Sequence, residues 1–292
     1  MKQMLKPFVL AACTIIYSAT SAQQLNKSSF LKAPESVIPY GPSLFITDLG
    51  EGGKPTVKDG NGIIWKMDPQ GQGHAFATGL DAPKGTAIIG HTLYVADIDK
   101  VKGFDINSGK QVFSVDFAAT KTSLLNDLVV KDDSTLFVSS TDINKIYVVH
   151  LSGNGRFEEL PLTSEIRGAN GLAYDVKRQR LYVCGLGSLT TFDGDLGYID
   201  LHKTPLTFVH IGSRKGLYDG LALTDNNRKL VVSDWISFEK KGVILLVDIE
   251  SGDIQQISQA PLNGPADFAL YNNKLIIPLM LDAAVIAMPL HP

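Results

Sequence analysis

Six polar residues recur at a near-constant interval in this chain. They are Glu35 in "PESV", Lys84 in "APKGTAI", Asn126 in "LLNDLVV" (with Asp127 next to it), Asn170 in "GANGLAY", Asp219 in "LYDGLAL" and Asp267 in "GPADFAL". The steps between them are 49, 42, 44, 49 and 48 residues. Glu35, Asn126, Asn170 and Asp219 offer carboxylate and amide oxygens and no thiolate or imidazole. An all-oxygen set suits a hard cation, Ca²⁺ first, with Mg²⁺ and Mn²⁺ as alternatives. A zinc site would recruit imidazole or thiolate. The histidines (His74, His91, His150, His202, His210 and His291) fall in turns or late in the repeats, without ligand spacing. Lys84 and Asp267 add one charge of each sign, suited to gripping a substrate or to pairing with each other across a channel.

Such a set needs a scaffold that brings six distant segments to one place. The apolar stretches between the phrases are short and rich in β-branched and aromatic residues: "TLYVAD", "TLFVSS", "RLYVCG", "KLVVSD" and "KLIIPL". Each follows a polar turn, and no apolar stripe of helical period persists long enough for a core helix, so the mature chain reads as all-β. Each repeat runs as a polar phrase with a short strand, a turn, an L-Y-V-like strand ending in Asp or Ser, and a third strand closed by a turn such as "INSGK" or "IESGD". Several short strands at a period of about 40–50 residues predict a six-bladed β-propeller of four-stranded blades. Closure of the ring would fall to the segment before Glu35 or to the C-terminal "AAVIAMPL". In a propeller, equivalent positions come round to the same height on the axis, which places all six polar residues at one channel mouth. Taken singly, Asn170-Gly171 and Asp219-Gly220 also read as tight turns. "KDGNG" (58–62) reads as a hairpin turn.

The remaining composition is that of an ordinary globular protein: 292 residues, 44% hydrophobic, 20% charged, net charge −3. Nothing in it suggests nucleic acid, since there is no basic excess or arginine-aromatic cluster. "MKQMLKPFVLAACTIIYSATSAQQ" has the basic start, apolar middle and small-residue end of a secretory signal peptide. Cleavage after Ala22 is expected, leaving 23–292 as one exported propeller domain, periplasmic or secreted, with no integral membrane segment. "LAAC" offers the alternative of a lipid anchor on Cys13. Cleavage leaves Cys184 as the sole cysteine, a small buried hydrophobe in "LYVCGLG" with no disulfide partner.

The opening phrases resemble those of the six-bladed senescence-marker-protein, gluconolactonase and luciferin-regenerating-enzyme-like propellers. "GANGLAYD" is similar to that family's Asn-Gly-Leu phrase, "LYDGLAL" to its Asp-Gly phrase, "LLND" to its Asn-Asp phrase, and "PESV" stands where it places a first glutamate. The resemblance implies a metal held by Glu35, Asn170 and Asp219, with Asn126 at or beside it, and Asp219 as the base. Two departures matter. Glu35 is followed by Ser36, Val37 and Ile38 where the family continues Gly-Pro-aromatic. Leu124 stands where sugar-lactone members carry arginine, which argues against an aldonolactone pocket.

Two functions follow. In the first, an exported, divalent-metal-dependent hydrolase cleaves a lactone or related ester, with Asp219 activating water and Asn126, Lys84 and Asp267 contacting substrate. In the second, the propeller is a non-catalytic, metal-containing platform for a small ligand, glycan or protein. "SDWISFEKKG" (233–242) places Trp235 and Phe238 between two strands, where an aromatic loop would wall or cover a pocket or simply pack.

Overall fold

The computed structural model describes residues 23–26 and 30–290; the expected signal peptide and Cys13 lie outside them. Twenty-four strands form six four-stranded antiparallel sheets. Among the described residues, helix is confined to two single turns, Ala118–Thr120 and Met280–Asp282. No helix among the described residues is long and apolar enough to cross a membrane. The sheets are the blades of a propeller, and each of blades 1 to 5 is built from four consecutive strands. The inner strands are Pro34–Tyr40, Pro83–Ile89, Leu125–Asp132, Ala169–Asp175, Tyr218–Thr224 and, in blade 6, Ala269–Tyr271.

Both segments expected to close the ring meet in blade 6. Its third strand, Ala284–Pro289, pairs with the N-terminal strand Gln23–Asn26, which becomes the outermost strand of the sheet. The first and last described strands are thereby hydrogen-bonded together, which closes the ring.

Each blade is apolar on both faces and buries them against its neighbours. Leu136, Val138 and Val149 of blade 3 pack on Ala87, Tyr94 and Val101 of blade 2, and the same layering recurs between blades 4 and 5 through Tyr182, Cys184, Leu230 and Val232. Each fully buried Val, Leu or Phe contributes on the order of 1.5–3 kcal/mol. Cys184 is free and buried, as expected.

The aspartate that ends several second strands has a structural task. Asp48 accepts hydrogen bonds from the backbone N–H groups of Lys32, Ala33 and Gly50. Asp97 does the same for Asp81 and Ala82, and Asp234 for Leu217 and Ile236. These carboxylates tie down the chain just before the inner strand, where its N–H groups would otherwise be buried without partners.

Candidate active site

Every inner strand begins with the same one-residue bulge, or, in blade 6, follows directly on it. In blade 4, Ala169 pairs with Gly185 and pairing resumes at Leu172 with Val183; in blade 5, Tyr218 pairs with Asp234 and Leu221 with Val232. Blades 1, 2 and 3 repeat the shift at Pro34, Pro83 and Leu125, and blade 6 repeats it between Pro265 and Ala269. A bulge re-aims the side chains it contains. Its first residue is Glu35, Lys84, Asn126, Asn170, Asp219 or Ala266 from blade 1 to blade 6, and its second is Ser36, Gly85, Asp127, Gly171, Gly220 or Asp267. Asn170-Gly171 and Asp219-Gly220 therefore lie inside strands, not in tight turns. The register also corrects one assignment: Asp267 is equivalent to Asp127, and Ala266 occupies the place of Glu35. Spacing in sequence does not reveal which residue of a phrase opens the bulge.

The five polar first residues are all buried. Asp219 is fixed on both oxygens: Asn170 Nδ2 donates to its Oδ1 at 3.0 Å and Trp235 Nε1 to its Oδ2 at 2.8 Å. Asn170 Nδ2 also reaches the Tyr218 carbonyl at 3.2 Å. Asn126 Nδ2 donates to Thr141 Oγ1, which in turn donates to the Ala169 carbonyl. Lys84 Nζ donates to the carbonyls of Pro55 and Ala82 at 2.8 and 3.0 Å. Its partner Pro55 belongs to the long loop over residues 49–61 of blade 1, so "KDGNG" is the end of this mouth loop and not a hairpin. Lys84 and Asp267 are not paired with each other: Asp267 Oδ2 instead accepts from Ser36 Oγ at 2.7 Å.

Crowded carboxyls with little water have shifted acidities. Burial, then the charges of Asp219 and Asp267, push Glu35 well above the usual carboxylate range, with Lys84 opposing. Burial pushes Asp219 up to about 6 against its bonds from Trp235 and Asn170. Asp267, half-buried, is pushed up to about 7 by desolvation despite its bond from Ser36. Burial lowers Lys84 to about 8, with Glu35 the main charge resisting. The site is a cluster of oxygen acids held at an energetic cost by the fold.

Glu35 Oε2 is buried with no hydrogen-bond partner. An orphaned carboxylate oxygen among other oxygen donors is what a bound cation would satisfy, so the residues fit a hard divalent ion. Among the described residues no three His, Cys, Asp or Glu side chains are grouped to hold an ion on their own. The amides of Asn170 and Asn126 would have to complete the set with Glu35 and Asp219.

Sequence reasoning missed Thr141 and Ser36, and left Trp235 between packing and pocket. Trp235 had a signal: it directly follows the aspartate that ends the second strand, and that point always faces the mouth.

No family model and no curated protein matches this chain. Solved structures do. A gluconolactonase from Xanthomonas campestris superposes with a TM-score of 0.69 at 15% identity, over 91% of this chain and 88% of that one. Kuenenia stuttgartiensis hydrazine synthase matches with a TM-score of 0.58 at 14% identity, over 86% and 75%. A computationally designed protein, Ika8, matches with a TM-score of 0.52 at 14% identity, over 91% and 99%. At these identities the likeness is one of fold: the chain is a six-bladed propeller with a gluconolactonase among its structural neighbours.

Proposed function

We propose that this protein is an exported, divalent-cation-dependent hydrolase of a lactone or related ester, with Ca²⁺ the first candidate ion. The observation that carries the reading is the buried, unpartnered Glu35 Oε2, which feels the charge of Asp219, itself bonded by Asn170, all three on the first positions of the bulges. A structural neighbour that is a gluconolactonase supports the reaction class. Glu35, Asn170, Asp219 and Asn126 would hold the ion, which supplies Lewis-acid polarisation of the substrate carbonyl. Asp219, locked by Trp235 and Asn170, is oriented to take a proton from the attacking water as the new C–O bond forms. The ring C–O bond then breaks, and that proton passes to the leaving alkoxide. Lys84 has two of its three ammonium hydrogens on carbonyls, which leaves the third for a substrate oxygen.

Lys84 also favours a second reading. An ammonium already sits among the carboxylates, so the propeller would serve as a binding platform in which lysine supplies the neutralising charge. Calorimetric titration of Ca²⁺ into the chelator-treated protein, beside Asn170→Ala, separates the two. The hydrolase reading expects micromolar or tighter binding lost in the variant, followed by turnover within a lactone and ester panel. A folded parent that binds no divalent ion sinks it.

A further inference from the structure

A cavity of about 430 Å³ opens beside the candidate site, between blades 3 and 4 and under the mouth loop of blade 1. That is enough room for a small-molecule substituent. Its apolar walls are Leu124, Leu186 and Leu189. It adjoins the site on two sides. Thr141 lines it and carries the hydrogen bond from Asn126, while Leu186 packs on the cluster of Trp235, the residue that holds Asp219.

Apart from the Thr56 hydroxyl, most polar groups around this cavity already have partners. Thr141 Oγ1 serves Asn126 and Ala169. Asp142 accepts from Thr122 and Ser123, and Asn144 bonds Gly168 and Glu165. One arm of the Arg167 guanidinium, at the exposed rim, is paired with Asp193, and Ser188 Oγ with Thr190. A ligand rich in hydroxyls would lose water here and gain few partners, at a cost for each unmatched group. An aliphatic chain would lose nothing.

The surroundings point the same way. Of the eight large hydrophobic residues exposed among the described residues, five (Val57, Leu189, Ile236, Phe238 and Leu281) stand on the loops between second and third strands. Those loops rise on the mouth face, so apolar surface is concentrated around the entrance.

Resting on the hydrolase reading, we infer that this cavity holds an apolar chain attached to the group cleaved at the mouth. The substrate is then a lactone or ester with an aliphatic substituent, not a polyhydroxylated one. Leu124 and Leu189 set this specificity.

The test has a binding arm and a turnover arm. Calorimetry with a heptyl-substituted cyclopentanone, which cannot be hydrolysed, is run on the metal-loaded protein, on Leu189→Glu and on Leu124→Arg. Leu189 is exposed, so its replacement leaves the core intact. The ketone is expected to bind the parent and to bind either variant about tenfold or more weakly, the scale on which hydrophobic pockets discriminate. In turnover, kcat/KM for γ-nonalactone is expected to exceed that for γ-butyrolactone or glucono-δ-lactone, with both variants shrinking that ratio about tenfold. Ketone binding without turnover of any lactone would keep the pocket and remove the hydrolase reading. Turnover that ignores chain length or prefers glucono-δ-lactone, or a ketone that binds parent and variants alike or not at all, would overturn the pocket.

Discussion

The two successive residues of each inner-strand bulge have opposite duties. The first positions hold Glu35, Asn126, Asn170 and Asp219, side chains buried side by side that the fold would be easier without. The second positions stitch the blades together, by two devices. At Gly171 a Cβ would meet the Asp219 carbonyl at 2.2 Å, and at Gly85 it would meet the Cα of Asp127 at 2.5 Å, so neighbouring inner strands close in only because a side chain is missing. In blades 3 and 6 a carboxylate bridges instead. Asp127 accepts from the N–H groups of Leu128 and, in blade 4, Leu172, and Asp267 accepts from Ser36 of blade 1. One residue of displacement separates the groups proposed for chemistry from groups placed for architecture.

The sharpest way to break this comparison is at a glycine. Gly171→Ala drives a methyl group into backbone that cannot rotate away, and overpacking of this kind costs about 3 kcal/mol. Urea unfolding should show that loss, and ion binding should fall with it because the clash lies on the Asp219 carbonyl. An unchanged unfolding midpoint would mean that close approach at the second position is not what holds blades 4 and 5 together.

The acidity of the site gives a second, pH-dependent effect. Asp219 and Asp267, raised to about 6 and about 7, hold protons more tightly in the folded chain than in the unfolded one. Stability from a raised carboxyl is complete below its unfolded pKa and is lost as pH rises through the folded value. The metal-free protein should therefore lose on the order of 3 kcal/mol for each of the two groups between about pH 4 and about pH 7. Lys84 acts in the opposite sense and in a higher window: its contribution is complete above 10.5 and is lost as pH falls through about 8. Melting temperature against pH, measured with chelator, tests this. Asp219→Asn should flatten the acidic limb, and a parent curve already flat there would contradict the assignment.

A smaller loss is expected from removing a bridge. Asp127→Ala leaves the buried N–H groups of Leu128 and Leu172 without partners, which costs about 2 kcal/mol. Because Asp127 holds blades and lies outside the proposed ion ligands, Ca²⁺ affinity measured on the folded variant should stay within a few-fold of the parent. A collapse of affinity with stability intact would move Asp127 into the site.

How much of this could be read from the sequence follows the same division. The period and its polar phrases were legible because every blade repeats one strand plan, and so was the Asp or Ser that ends the second strand, although the backbone groups that Asp48, Asp97 and Asp234 bind were not. The placing of Asp267 was not, because a bulge changes the count by one and leaves no mark in composition. Nor was the bond from Lys84 to Pro55, which depends on how the loop over 49–61 lies across the mouth. Trp235 lay in between: its position after Asp234 was visible, but its bond to Asp219 spans 16 residues and two elements. Local rules find what a strand does to its own residues. They do not find what one blade hands to the next.

The last and smallest effect reverses the sign of the others. Glu35 has a buried oxygen with no partner and a carboxyl pushed upward by burial and by two neighbouring acids. Glu35→Gln keeps the shape and removes the charge, so the metal-free variant should be more stable than the parent at neutral pH, by about 1 kcal/mol. Ca²⁺ binding should be lost together with the extra stability that the ion confers on the parent. Thermal melts with chelator and with saturating Ca²⁺, run on both proteins, give all four values. A variant less stable than the parent without metal would show that Glu35 is already satisfied within the fold, as architecture is, and would return the first position to the same duty as the second.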